Sequence, residues 1–161
     1  MRLTALVLAA NVFALPAGTA TLTQTHAPSQ HGQQVMGFDQ DKTAHHFLLY
    51  DDGGAIDVSV KDATDAQNRD AIRAHLPHIA MMFGNGDFAA PMLVHDSANV
   101  PGTAVMAARK QVIKYVYRET PRGGRVDIVT ADRDALAGVH QFLKYQIAEH
   151  KTGDPGTVGK R

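Results

Sequence analysis

The chain has 161 residues, with 16 Lys plus Arg against 16 Asp plus Glu, nine histidines and no cysteine. Balanced charge excludes the global basic field that nucleic acid or an anionic lipid surface would need, so no nucleic-acid partner is expected. Without cysteine there are no disulfides, thiolate metal sites, covalent c-type haem attachment or thiol catalysis, and stability has to come from packing.

The first 20 residues, MRLTALVLAANVFALPAGTA, place one arginine before an apolar run from Leu3 to Leu15. Pro16 breaks the run, and Gly18 and Ala20 stand at the −3 and −1 positions of a signal-peptidase site, the order of a secretory signal. The run is short of the roughly 20 residues that span a bilayer, and no cysteine follows it to carry lipid. Cleavage near Ala20, no stable membrane anchor and a periplasmic or secreted protein are expected. About 140 residues then remain, enough for one domain with a real core. Residues 21–42 are polar, with Pro28, Gly32 and several glutamines and no sustained periodicity, and read as a flexible arm. Residues 43–150 read as a single domain and 151–161, KTGDPGTVGKR, as a tail.

The domain repeats itself. GGAIDVSV from Gly53 aligns with GGRVDIVT from Gly123, and RDAIRAHLPHIAMMF from Arg69 with RDALAGVHQFLKYQI from Arg133, which sets His140 at the position of Leu76. Each unit is a strand, a glycine-rich turn, a strand and a helix, over about 43–84 and 111–150, joined by a loop at 85–110. In the first hairpin, HHFLLY and AIDVSV flank DDGG, a sequence that favours a tight turn. Alternation puts His45, Phe47 and Leu49 on one face with Ile56, Val58 and Val60, and His46, Leu48 and Tyr50 on the other with Asp57 and Ser59. Val126 and Ile128 point inward by the same rule, and the repeated Asp57 and Asp127 are expected to face solvent. The fold class expected is α+β: two layers, a four-stranded antiparallel sheet with two helices on one face, built from a duplicated β-β-α unit.

The first helix is expected from Asp65, with Thr64 and Gln67 as a capping box, and with Ile72, Leu76, Ile79 and Phe83 as its core stripe. His75, His78 and Met82 form a second stripe beside the first, and Pro77 should bend or interrupt the helix. GNGDF reads as its glycine cap. The loop that follows is longer than a crossover needs and carries Met92 and His95, with one short strand and a helical turn from Thr103 expected. In the second helix Leu136, Val139, Leu143 and Ile147 make the core stripe and His140 shares their sector.

Imidazole and thioether groups suit copper, and imidazole alone suits zinc, nickel or haem iron. The sharp expectation is therefore a soft-metal site, copper first and zinc or haem as alternatives, drawn from His75, His78, Met82 and His140, with His45, Met92 and His95 next. The bland expectation is that most of these residues are hydrogen-bonded, half-buried side chains. No Gly-x-Ser-x-Gly elbow, phosphate loop or dinucleotide fingerprint appears, so no catalytic residue is assigned and a non-enzymatic role is expected. HHFLLYDDGGAIDV, HLPHIAMMF and HQFLKYQIAEHKTGD together resemble a group of small exported bacterial proteins of uncharacterised function; the resemblance implies export and carries no activity. Two functions follow as expectations: an exported, periplasmic binding protein holding a soft metal or haem, or a protein-interaction domain, homodimeric through the sheet face around Leu48 and Tyr50.

Overall fold

The computed structural model describes residues 36–161, so the expected signal peptide and residues 21–35 of the expected arm lie outside the described residues. The domain is an α+β fold. Strands β1 (Thr43–Tyr50), β2 (Gly53–Val60), β3 (Lys114–Thr120) and β4 (Gly123–Val129) form one antiparallel sheet in the order β1-β2-β4-β3. Two long helices, α1 (Ala66–Gly84) and α4 (Arg133–His150), cover one face. The connection between the repeats holds two short helices, α2 (Ala89–Val94) and α3 (Thr103–Ala108), the second starting at the expected turn; the expected short strand is absent because Pro91 and its apolar neighbours continue a helix. Among the described residues no helix is long and apolar enough to cross a membrane.

The repeat is visible as a symmetry of the backbone. Both hairpins close with two-residue turns, Tyr50 opposite Gly53 in one and Thr120 opposite Gly123 in the other. Where the inner strands pair, Ile56 lies opposite Val126, two residues that hold the same place in their repeats. A pseudo-twofold axis therefore passes between them. Each long helix crosses to the other repeat's hairpin: α1 lies over β3 and β4, and α4 over β1 and β2.

The Gly-Gly pairs make that exchange possible. A Cβ on Gly53 would overlap the carbonyl of Ile128, and one on Gly123 the carbonyl of Val58, so the first glycine lets the central strands close up. The second glycine of each pair sits under a helix leucine: Leu143 over Gly54 and Leu76 over Gly124. Leu76 and Leu143 are thus counterparts, which corrects the expected match of His140 with Leu76. The helix caps agree, since Asp65 accepts from the Asn68 amide at 3.1 Å and Asp132 from the Ala135 amide at 2.8 Å. The shared Arg-Asp dipeptide misaligned the helices because the connection after β4 is shorter than the one after β2.

Strand alternation falls as expected: Phe47, Leu49, Ile56, Val58, Val60, Val126 and Ile128 are buried beneath the helices. The α1 stripe of Ile72, Leu76, Ile79 and Phe83 is buried, and the helix runs unbroken through Pro77. Asp65 alone caps it, while Thr64 bonds to Asp62, so the expected capping box does not form. Its C-terminus is a Schellman motif: the Gly86 amide donates to Phe83 and the Asp87 amide to Met82, with Gly86 left-handed. On α4 the buried face is turned from the expected one, to Val139, Phe142, Leu143 and Gln146, leaving Leu136 and Ile147 half-buried.

Three expectations of mobility or exposure meet contrary geometry. Met36 and Phe38, at the end of the expected arm, are buried in the core, and the Asp39 amide donates to the Asn68 side chain at 2.9 Å. Residues 151–161 are tied to β1: the Gly159 amide donates to Leu49 at 2.9 Å, and Asp154 accepts from the Phe47 amide. Asp127 lies opposite the helices as its alternation requires, yet it is buried, because Arg118, Arg125 and Arg161 close over it. Burial alone would raise its pKa, but hydrogen bonds from the three guanidiniums hold it below the usual carboxylate value.

His140 has a structural task that the symmetry explains. Its Nε2 lies 2.8 Å from the carbonyl of Tyr50 and 3.0 Å from that of Gly53, so this nitrogen carries the hydrogen. Arg73, its counterpart on α1, donates to the carbonyls of Thr120 and Gly123 at 2.8 and 3.2 Å. Each side chain pins the end of the opposite hairpin to its helix. His140→Ala is expected to lower stability by about 1–2 kcal/mol through the buried carbonyls it leaves unpaired, measured from urea unfolding midpoints.

Candidate functional site

A cavity of about 70 Å³ opens between the β1–β2 hairpin and the helices. Its walls are almost wholly apolar, built from side chains such as Phe38, Phe47, Ile79 and Phe142. Four histidines interrupt them. His45 comes from the inward face of β1, His75 from α1, His95 from the residue that ends α2, and His150 from the last residue of α4. Met36 and the buried Gln146 complete the polarisable and polar lining.

The rings form a chain of contacts. His150 stands between His45 and His95, with ring centroids 5.3 Å and 5.1 Å away. Phe38 bridges His45 and His75, each 5.7 Å from its ring. His95 Nε2 meets the Gln146 side-chain oxygen at 3.0 Å, which sets that amide's orientation. The His45 Nε2 and the Gln146 amide nitrogen are buried without a hydrogen-bond partner among the described residues. Such groups cost free energy unless something else satisfies them.

Burial makes these imidazoles weak bases. Desolvation, with His75 the next cause, lowers His45 to about 4. Desolvation and then His78 lower His75 to about 4, and desolvation followed by His45 and His95 lowers His150 to about 3. All three are neutral at pH 7 and offer lone pairs. Among the described residues, no carboxylate lines the cavity. Among the described residues, no group of three His, Asp or Glu side chains is already placed to hold a metal ion.

The residues singled out in the sequence divide sharply. His45, His75 and His95 line the cavity. His78 is exposed, and Met82 and Met92 pack against the core without lining the cavity. His140 is held by the hairpin carbonyls. Sequence reasoning missed His150, Gln146 and Met36. For the first two a signal existed: Phe142, Gln146 and His150 follow one another at helical spacing, one face over from the stripe chosen. For Met36 there was none, since a lone apolar residue in a polar stretch has no period.

The opposite sheet face, around Leu48 and Tyr50, is largely polar. The Arg161 guanidinium stacks 4.7 Å from the Tyr50 ring centroid, Arg125 donates to the Tyr50 hydroxyl, and Leu48 is half-buried.

The pseudo-twofold axis shows how unequal the two halves have become. His45 corresponds to Tyr115 on β3, His75 to Phe142 on α4, and His150 to Phe83 on α1. The imidazoles are concentrated in one of two related places. No protein-family model, no curated protein and no solved structure matches the chain.

Proposed function

We propose that this chain is an exported binding protein that holds a soft metal ion, copper first, in the cavity lined by His45, His75, His95 and His150. One observation carries the reading: imidazoles from four separate elements line one small cavity whose remaining walls are almost wholly apolar. The positions that correspond to His45, His75 and His150 in the other half are Tyr115, Phe142 and Phe83, which fill the core without an imidazole. Export rests on the charge, apolar run and small-residue order of the first 20 residues.

The size of the hole argues for an ion over haem, since about 70 Å³ is well under the roughly 300–1,000 Å³ of pockets that enclose organic ligands. Loading would draw the rings together by side-chain rotation. His45 is the easiest ligand to recruit, because its Nε2 has no bond to give up; His95 must release Gln146.

The test is metal analysis of untagged protein, followed by copper titration of the wild type and of His45→Tyr/His150→Phe, which copies the residues at the equivalent positions of the other half. Near-stoichiometric copper in the wild type and its loss in the double variant are expected. No bound metal, with weak titration indifferent to the substitutions, would refute the proposal.

A further inference from the structure

We infer that the ion is monovalent: the cavity is built for Cu(I) and discriminates against Cu(II) and Zn²⁺. The inference rests on the metal-binding reading above and asks more of the same site. Charge is the first ground. Among the described residues the lining contains no Asp, Glu, Lys or Arg, so an ion there keeps its full charge among neutral donors and apolar walls. The cost of burying an ion grows as the square of its charge, so a monocation pays roughly a quarter of what a dication pays in the same low-dielectric hole. Zn²⁺ would carry its full double charge here, since the described lining gives it no carboxylate.

The second ground is softness. Met36 lines the cavity and is only 8% exposed, which brings a neutral thioether beside the imidazoles. Thioether sulfur is a ligand for Cu(I) and a poor one for zinc or oxidised copper. The residue reaches the site because the segment around it packs into the core, with Phe38 inserted between His45 and His75.

The third ground is coordination number. Zn²⁺ in proteins takes four ligands in a tetrahedron, whereas Cu(I) is satisfied by two or three. Among the described residues no three-residue site is pre-assembled. His150 stands beside both His45 and His95, with ring centroids 5.3 Å and 5.1 Å away, and Met36 lines the same cavity as a further donor.

The experiment titrates the full chain under argon with Cu(I) against bicinchoninate, and separately with Cu(II) and Zn²⁺ against a competing chelator. It compares wild type, Met36→Leu, His45→Tyr/His150→Phe and the exposed-site control His78→Ala, each first checked for native near-UV circular dichroism. One Cu(I) per chain is expected, about 100-fold tighter than Zn²⁺. Met36→Leu, which conserves volume, should weaken Cu(I) by about tenfold and leave the weak Zn²⁺ binding unchanged. His78→Ala should match the wild type. Zn²⁺ or Cu(II) bound as tightly as Cu(I), and lost in the histidine variant, would overturn the inference while leaving the metal-binding reading intact. So would an unchanged preference in Met36→Leu. Failure of all three ions would end both.

Discussion

Gly53→Ala and Gly123→Ala are each expected to cost about 3 kcal/mol or more, at the severe end of single substitutions. The methyl group would meet the carbonyl of Ile128 in the first case and of Val58 in the second. These are backbone atoms of the neighbouring central strand, and they cannot rotate away as a side-chain tip would. Relief requires β2 and β4 to separate, and that pairing joins the two repeats. Gly53 adds a second penalty, because its φ of +146° is a conformation that alanine rarely adopts. Gly53→Ala should therefore be the worse of the two. Urea midpoints and thermal melting of both variants check this; a loss below about 1 kcal/mol in either would mean that the strands can part without consequence.

Acid should unfold the metal-free protein in the range where histidine titrates, well before the carboxylates do. His45, His75 and His150 have folded-state pKa values of about 4, 4 and 3 against an unfolded value of 6.5. Between these limits the unfolded chain binds more protons than the folded one, so stability falls as pH falls. It is complete above pH 6.5, declines progressively below it, and stops declining from this source only once the folded rings themselves protonate near pH 3–4. One pKa unit corresponds to about 1.4 kcal/mol, so each ring accounts for roughly 3–5 kcal/mol at the acid limit, before discount for its residual exposure. The carboxylates held low by hydrogen bonds, Asp127 and Asp154 among them, act in a lower window, below their ordinary value of 3.8. An unfolding midpoint between about pH 4 and 5 is expected by circular dichroism. His45→Tyr/His150→Phe should move it downward. A protein equally stable at pH 7 and pH 4.5 would show that the rings are hydrated.

The strands were legible because a period of two, punctuated by Asp-Asp-Gly-Gly and by Pro121, leaves one register in which Phe47, Ile56 and Val58 are all buried. Helix α1 was legible for a similar reason, since Ile72, Leu76, Ile79 and Phe83 form its one continuous apolar row. Helix α4 offers two rows one step apart, and the purely aliphatic row was not the one the fold buries. Residue type alone could not place the histidines. His75 and His78 look alike in the sequence, yet one faces the cavity and the other faces solvent. His140 resembled a ligand because nothing in its neighbourhood reveals that two hairpin carbonyls await it. The meeting of His45 with His150 follows from the crossing of α4 onto the first hairpin, which no local pattern encodes.

That crossing also sets an order in time. The first hairpin is made early, but α1 reaches only β2 of it, so the apolar face around Phe47 lacks much of its cover until residues 133–150 have been synthesised. Helix α1, made soon after, likewise waits for β3 and β4 as its floor. A nascent chain stopped at the end of α1 has a sheet only partly covered and a helix without most of its floor. Nearly the whole polypeptide must exist before its core can close, so the growing chain stays dependent on whatever shields it until its last helix arrives.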